Sequence, residues 1–134
     1  MTAPRKLTPA ECLDLVPPSG VGRVAICAPT GPQIFPVNYV VDTESIVFRT
    51  SAYSALGTLA AGAEIAFEVD SVDHDHATGW SVVAAGRAEA IDDEAELDML
   101  RERGLEPTAW AGGLRRTYIR LRWTSLSGRV VGES

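Results

Sequence analysis

The chain has 134 residues, of which 46% are hydrophobic and 22% are charged, and its formal net charge is −6. These proportions are typical of an ordinary globular protein, so we expect residues 1–134 to form a single domain. The acidic balance argues against nucleic acid as a partner, and the lack of a long apolar run argues against a membrane span or signal peptide, which predicts a cytoplasmic protein.

A short helix is predicted near the N-terminus. Thr8, Pro9 and Glu11 fit the N-cap, the first and the third positions of a capping box, and the two prolines at 17–18 end the helix. Residues 19–22 contain two glycines but lack the third glycine of a dinucleotide-binding motif. We therefore predict a turn there and exclude a Rossmann fold.

From Arg23 onward, hydrophobic residues alternate with a period of two, which indicates strands. The predicted strands are 23–28, 33–41, 46–50, 64–70, 80–91 and 117–123, with a last turn and strand in 125–131, and further helices are predicted at 54–61 and 92–104. Strands that follow one another without crossover helices pair as an antiparallel meander, and closure removes the sheet edges. The sequence thus predicts a mainly β protein, with about six antiparallel strands in a small barrel and short flanking helices.

Two residues interrupt the predicted strands. Pro36 cannot donate a backbone hydrogen bond, so it marks an edge, a bulge or a gap in pairing, where neighbouring backbone groups become available to a ligand. Gly86 lies in the middle of the longest strand and predicts a bulge or a close backbone approach.

The segment 46–56 runs from a strand through a hydroxyl-rich turn into a helix. Arg49 stands near the end of the strand, and Ser54 is a candidate N-cap. Backbone N–H groups at a helix start, together with an arginine, form a suitable phosphate site. An ordinary strand-to-helix connection with a solvated arginine explains the same spacing, and both interpretations remain open.

Several short motifs occur in a fixed order along the predicted strands. They are Gly22-Arg23-Val24-Ala25, Phe35-Pro36-Val37-Asn38, Val47-Phe48-Arg49-Thr50, Gly79-Trp80-Ser81-Val82-Val83, Gly86-Arg87-Ala88, Ile119-Arg120-Leu121 and Ser127-Gly128-Arg129. The series, over roughly residues 7–131, resembles the pyridoxamine 5′-phosphate oxidase-like, FMN-binding split-barrel family. The resemblance implies a split β-barrel and a homodimer with two flavin sites at its interface. It also implies FMN, or alternatively the deazaflavin coenzyme F420, as cofactor, although some members have lost redox chemistry.

The resemblance also implies a cofactor site at the matching positions. Its residues are Pro36, Val37 and Asn38 along the flavin ring, Arg49 and Thr50 near the phosphate, Ser51 in the following turn, and Trp80 as a cover from the partner subunit. A core position for Trp80 is the alternative, and both interpretations remain open. Ala55 stands where many members have a phosphate-binding lysine, so Arg49 carries more of the charge. The arginine and histidine set of a true pyridoxamine phosphate oxidase is missing from the sequence, and that reaction is not assigned.

His74 and His76, which alternate with two aspartates, are candidate metal ligands. Side chains two apart converge in a turn, but no third anchored ligand accompanies them, so a solvated hairpin is predicted and no metal. The two cysteines, Cys12 and Cys27, lack CxxC spacing and are predicted to be small buried hydrophobic residues.

A local basic cluster stands out in this acidic chain. It comprises Arg115, Arg116, Arg120 and Arg122. It fits either a solvated strand face with carboxylate neighbours or an attractor for an anionic cofactor or substrate. Trp110 and Trp123 are suited either to stacking on a cofactor ring or to filling the core or a dimer interface.

Two functions are compatible with the sequence. No nucleophile with an attached base is visible, so in an enzyme the flavin would carry the chemistry. The first function is an oxidoreductase that passes hydride between a flavin or deazaflavin and a small-molecule acceptor. The second is a non-catalytic protein that binds a flavin, haem or related ring.

Overall fold

The computed structural model describes residues 3–50, 55–108 and 117–132. Its elements are, in order, β1 (Arg5–Leu7), α1 (Pro9–Leu15), β2 (Ser19–Ala28), β3 (Gly31–Asp42), β4 (Ser45–Thr50), α2 (Ala55–Leu59), β5 (Glu64–Asp73), β6 (Thr78–Ala90), α3 (Glu94–Glu102) and β7 (Thr117–Val131). Predictions for Ser51, Ser54, Trp110, Arg115 and Arg116, and for the side chain of Ala55, lie outside the described residues.

Six of the strands close into a ring. Their order is β7–β4–β3–β2–β5–β6, with antiparallel neighbours, and β6 pairs back to β7. The additional strand β1 has three residues and pairs with the far end of β7. The predicted mainly β, six-stranded antiparallel split barrel is thereby confirmed, and β1 was not predicted.

The ring is incomplete between β3 and β4. These strands share four residue pairs, from Tyr39–Phe48 to Asp42–Ser45. In contrast, β3 pairs with β2 along residues 31–40 without a register shift. In the described pairings, residues 31–38 of β3 therefore have a neighbouring strand on one side only. Pro36 lies in this segment, which confirms the edge interpretation, because a strand edge tolerates the missing N–H.

The inner core follows the predicted alternation. Ile65, Phe67 and Val69 are buried on one face of β5, while Glu64 and Asp70 are exposed. The other inward side chains of this core include Val24, Ile26, Val37, Tyr39, Ile46, Phe48, Val82, Ala84, Ala88, Ile119 and Leu121. Burial of this apolar set holds the closed barrel together.

A second, outer core lies beneath α3. Leu97 and Leu100 of the helix pack with Val40, Val47 and Tyr118 on the outer faces of β3, β4 and β7. Asp93 caps the helix by accepting from the Ala95 N–H, and Gly104 follows its end with φ of 69°. The predicted helix and its buried leucines are confirmed, and this helix covers the place where β3 and β4 separate.

The other helices are short. In α1, the Thr8 side chain accepts from Glu11 N at 3.2 Å and Glu11 Oε1 accepts from Thr8 N at 2.9 Å, so the predicted capping box is confirmed. The five-residue α2 is shorter than the predicted helix at 54–61. None of the helices within the described ranges is long and apolar enough to cross a lipid bilayer.

Gly86 marks a bulge, as predicted. The register between β6 and β7 shifts there, because Ala85 lies opposite Ser125 while Gly86 lies opposite Trp123. A Cβ on Gly86 would overlap the carbonyl oxygen of Arg122. Both predicted roles, bulge and close backbone approach, are therefore confirmed.

Several boundary predictions were wrong. Residues 19–22 begin β2 and do not form a turn; Gly22 lies there because a Cβ would overlap the Phe67 ring. Residues 125–131 continue β7 without a turn, since β6 and β1 pair with this part from both sides. The strands β5 and β6 also extend into the predicted connection at 71–79. Cys12 is buried as expected, but Cys27 is exposed on β2.

Candidate functional site

A cleft lies between the start of β2, residues 38–40 of β3 and the segment after α3, next to the point where β3 and β4 separate. Asn38 and Arg49 are the residues immediately beyond the last pair of this ladder, Tyr39–Phe48. Their side chains face outward from the barrel, because side chains two positions apart in a strand lie on the same face, and Val40 and Val47 belong to the outer core. The cleft has a volume of about 310 Å³ and is lined by Ser19, Gly20, Asn38, Tyr39, Val40, Gly104, Glu106 and Thr108.

Arg49 lies beside this cleft, next to its lining residue Glu106, and is held there by groups of β7 and of the segment after α3. Its guanidinium carbon lies 5.0 Å from the centre of the Tyr118 ring, and Nη1 donates to the Pro107 carbonyl at 3.3 Å. Nη1 is also 3.5 Å from Glu106 Oε1, and the side chain is 22% exposed. The solvated-arginine interpretation is therefore wrong, because a ring, a carbonyl and a carboxylate fix the cation in place.

Glu106 is the centre of this polar cluster. Its Oε1 accepts a hydrogen bond of 2.6 Å from the Tyr118 hydroxyl, and its Oε2 lies 3.3 Å from Arg101 Nε. Burial, and next the hydrogen bond with Glu106, raise the pKa of the Tyr118 hydroxyl. Tyr118 therefore stays protonated at neutral pH and remains a hydrogen-bond donor.

The backbone after α3 fixes the position of Glu106. Leu105 N donates to Leu100 O at 2.8 Å, and Leu105 packs against the outer core. On the other side, Pro107 is almost completely buried. Because both neighbours of Glu106 are anchored, its carboxylate is directed at the cations by the fold.

The predicted site residues on β3 and β4 divide between the two faces of their strands. Asn38 lines the outer cleft, Arg49 lies beside it next to Glu106, and Pro36 is exposed. Val37 is 6% exposed and belongs to the inner core, so only its main chain is available to a ligand. Thr50 is 2% exposed and alternates with Arg49, which places its side chain on the opposite face.

Trp80 lies in a different cleft. It is opposite Ser71 on β5 and Val130 on β7, is half-buried and packs against the inner core. The cleft that it lines has a volume of about 410 Å³ and also contains residues of the β5–β6 hairpin and Arg129. Within one subunit, the structure therefore places Asn38 in one cleft, with Arg49 beside it, and Trp80 in another.

Arg120, from the predicted basic cluster, is a buried structural residue. Its side chain is 7% exposed, and Nη1 donates to Asp42 Oδ2 at 2.9 Å and to Ser45 Oγ at 2.7 Å. Its Nη2 donates to Glu96 Oε1 at 3.0 Å. Arg120 therefore ties α3 to the barrel. The predicted carboxylate neighbours are present, but the predicted solvated face is wrong for this residue, and its buried side chain is not open to a ligand. Arg122 is exposed.

The same network determines the ionisation of Asp42. Arg103 Nη2 donates to Asp42 Oδ1 at 2.9 Å, while Arg120 holds Oδ2. Burial opposes the charged form of Asp42, but the hydrogen bonds from Arg120 and Arg103 outweigh it and lower the pKa of this carboxyl. Asp42 is therefore an anion at neutral pH.

The histidines lie in the hairpin between β5 and β6. Asp73 Oδ1 accepts from the N–H groups of Asp75 and His76, and His76 Nδ1 lies 2.7 Å from Asp73 Oδ2. Both partners of the His76–Asp73 pair are exposed. Across the described part of the chain, no group of three or more His, Cys, Asp or Glu residues is arranged to hold a metal ion.

Three residues of the polar cluster beside the cleft were not predicted as site residues: Arg101, Glu106 and Tyr118. For Tyr118 the sequence contains a weak indication: it alternates with apolar residues in a strand with two distinct faces, which places it on the face away from the inner core. Arg101 and Glu106 had none, because their meeting depends on how α3 packs on the barrel.

Comparisons with known proteins place this fold in context. Residues 8–130 match the family model described as pyridoxamine 5′-phosphate oxidase. The chain is 28% identical over 130 residues to an uncharacterised protein of Mycobacterium tuberculosis, an alignment that covers 92% of this chain and 84% of that protein.

Solved structures agree with the family match. The FAD binding protein from Mycobacterium smegmatis is 31% identical, with 93% of this chain and 96% of that chain covered and a TM-score of 0.76. A FAD-binding protein from Mesorhizobium loti has a TM-score of 0.78, with 97% and 99% of the chains covered, and at 20% identity it supports the fold alone.

Proposed function

We propose, from the premise that this chain belongs to the pyridoxamine 5′-phosphate oxidase family, that it binds a flavin where β3 and β4 separate. One observation carries the proposal. Asn38, which the sequence resemblance assigns to the cofactor, lines the cleft, and Arg49, which it also assigns, is a positioned cation beside it, 3.5 Å from the cleft residue Glu106. The similar protein from Mycobacterium smegmatis is a FAD binding protein, which supports the same ligand class.

The groups at the cleft fit the parts of a phosphorylated flavin. The guanidinium of Arg49 suits a phosphate oxygen, since charge-assisted hydrogen bonds are the strong ones. The β4 side of β3 has no paired strand at residues 36–38 within the described pairings, so main-chain groups there suit the polar rim of the ring. FMN, FAD and the deazaflavin coenzyme each carry a phosphate and a flat ring, so all three are candidates.

In the enzymatic form of the proposal, the protein is an oxidoreductase acting on a small molecule. The bound cofactor supplies hydride transfer, and the chain supplies binding, orientation and exclusion of water. Arg49 and Asn38 position the cofactor from β4 and β3, and Tyr118 keeps its proton and maintains the polar cluster. Trp80, which lies in the other cleft, contributes to the site from a partner subunit in a homodimer.

A non-catalytic binding protein for a flavin, haem or related ring is the second candidate. It is favoured by the fact that Glu106 and Tyr118, two ionisable side chains at this cleft, are hydrogen-bonded to each other. Such a closed pair suits binding better than proton transfer. Reduction of bound flavin by dithionite, followed by mixing with quinone or nitro-compound acceptors, separates the two. Rapid reoxidation under anaerobic conditions supports the oxidoreductase, and its absence supports the binding protein.

The binding proposal is tested by titrating the purified chain with riboflavin, FMN, FAD and the deazaflavin coenzyme, followed by absorbance and fluorescence. We expect Arg49→Ala to weaken binding of the phosphorylated cofactors by about 1.5–3 kcal/mol, the cost of losing a charged hydrogen bond. Arg122→Ala, at an exposed position of β7, is the matched control and should leave binding unchanged. If none of the four ligands binds, the flavin proposal is wrong; if Arg49→Ala binds them all normally, Arg49 is not a ligand.

A further inference from the structure

We propose that the Glu106 carboxylate occupies the position of a ligand phosphate, and that an incoming phosphate or diphosphate group displaces it from Arg49, Arg101 and the Tyr118 hydroxyl. The inference rests on the proposed function, because it concerns the anion position of the same site. It adds Arg101 and Tyr118 to the phosphate ligands and makes Glu106 an internal competitor.

The geometry of the donors is the first support. Three donors from β4, α3 and β7 converge on one carboxylate: Arg49 Nη1 at 3.5 Å, Arg101 Nε at 3.3 Å and Tyr118 Oη at 2.6 Å. Charge-assisted N–H···O bonds are typically about 2.7–2.9 Å, so the carboxylate fills the space between the guanidinium groups incompletely. A tetrahedral phosphate has more oxygens than a carboxylate and can meet all three donors at shorter distances.

The charges are the second support. Arg49 and Arg101 both lie within ion-pair distance of Glu106, and Arg101 Nη1 is also 3.2 Å from Asp98 Oδ1. Asp98 thus holds one end of the Arg101 guanidinium while Nε faces Glu106. A phosphate dianion attracts the two cations more strongly than one carboxylate does, because its charge is larger at a similar distance.

Access to the cluster is the third support. The Glu106 side chain is 34% exposed and lines the cleft of about 310 Å³, so a ligand in this cleft reaches the carboxylate directly. The sequence has Ala55 where the family resemblance expects a phosphate-binding lysine. Arg101, delivered by α3, supplies the second cation in this chain.

The test removes the competing charge and keeps the hydrogen-bond acceptor. We expect Glu106→Gln to bind inorganic pyrophosphate about tenfold more tightly than the wild type in calorimetric titration, because a charged contact no longer has to be broken. Glu102→Gln is the matched control. It makes the same charge change at an exposed position of α3 and should shift the affinity by less than about twofold.

A second variant tests the added ligand. Arg101→Gln should weaken binding of pyrophosphate and FMN about tenfold and leave the affinity for riboflavin, which has no phosphate, unchanged. Unchanged or weaker pyrophosphate binding by Glu106→Gln, or no pyrophosphate binding by either protein, overturns the inference. Riboflavin binding separates this result from a failure of the proposed function, since it reports on the ring site without using the anion position.

Discussion

Two arginines on neighbouring strands illustrate how surroundings decide a role. Arg120 on β7 is enclosed by Asp42, Ser45 and Glu96, with hydrogen bonds between 2.7 and 3.2 Å. Arg49 on β4 is more exposed and is 3.5 Å from its carboxylate. Arg120 therefore holds the helix α3 to the barrel, whereas Arg49 is placed where a ligand can reach it.

The buried pair of Asp42 and Arg120 predicts a large effect of a small substitution. Asp42→Asn removes one of the two carboxylates that pair with the nearly buried Arg120 guanidinium and leaves Glu96 as its remaining counter-charge, and breaking one side of a buried pair costs about 3–5 kcal/mol. We expect this loss in the free energy of unfolding at pH 7, measured by urea denaturation. Asp14→Asn, at an exposed position of α1, is the control and should change stability little.

The same variant has a predicted pH dependence. The folded-state pKa of Asp42 lies below its ordinary value of 3.8, so the unfolded chain takes up this proton first as the pH falls. The stabilisation by Asp42 is therefore complete above about pH 5 and is lost as the pH falls through the folded-state pKa. The gap between wild type and Asp42→Asn should shrink below about pH 4. A gap that stays constant down to about pH 3 would show that ionisation of Asp42 does not stabilise the fold.

At the scale of elements, the separation of β3 from β4 creates the candidate site. The ladder stops after four pairs, and α3 and the segment that follows it pack over the outer side of the gap. The strand β6, in contrast, is paired with β5 over residues 78–87 and with β7 over residues 79–90. Trp80 on β6 thus belongs to a continuous part of the barrel.

Trp80 therefore requires a test that separates stability from binding. The ring is half-buried and packs against the inner core, so we expect Trp80→Ala to reduce apo stability by less than the roughly 3–5 kcal/mol of a fully buried aromatic. If Trp80 covers the cofactor from a partner subunit, flavin affinity falls and the fluorescence of bound flavin changes.

Trp123 supplies the comparison for this test. It also packs against the inner core and lies outside the cleft of Trp80. Trp123→Ala should lower the melting temperature of the apo protein without changing flavin affinity. Equal flavin affinity of the Trp80→Ala variant and the wild type would assign Trp80 to the core alone.

At the scale of the whole molecule, an apolar row crosses the outer faces of four neighbouring strands. Consecutive strand pairs place Ile34, Ala25, Ala66 and Ala85 side by side on β3, β2, β5 and β6. Along each strand these residues alternate with residues of the inner core, so their side chains face outward, and Ile34 is 70% exposed. A row of small side chains allows close approach of another sheet surface, so we propose this face as the interface of the expected homodimer.

Light scattering tests the assembly. We expect a dimer at micromolar concentration, and we expect Ala85→Glu to give a folded monomer, because a charge would be buried without a partner at the two-fold interface. Met99→Glu adds the same charge to an exposed position of α3 and should leave the dimer intact. A monomeric wild type in the presence of flavin would contradict both the assembly and the assignment of Trp80 to a partner's site.

The sequence by itself determined the barrel, because alternation of side chains, helix caps and chain-breaking residues are local properties. The alternation in β5, the capping box at Thr8 and Glu11, and the bulge at Gly86 could all be predicted from neighbouring residues. Boundaries failed where distant residues decide. Residues 19–22 form a strand because they pair with residues 37–40 of β3, and Gly22 is needed there because it passes the ring of Phe67, which belongs to β5 and is far away along the chain.

Only the tertiary structure decided which polar side chains meet. Arg49 and Asn38 were predicted from a family resemblance, but Glu106, Tyr118 and Arg101 join them through the packing of α3 on the outer core. A sequence shows which residues are charged but not how far apart they lie. An arginine in a strand can therefore be a buried structural residue or a cation that a ligand can reach. The distances to carboxylates, set by strand register and helix packing, made this distinction between Arg120 and Arg49.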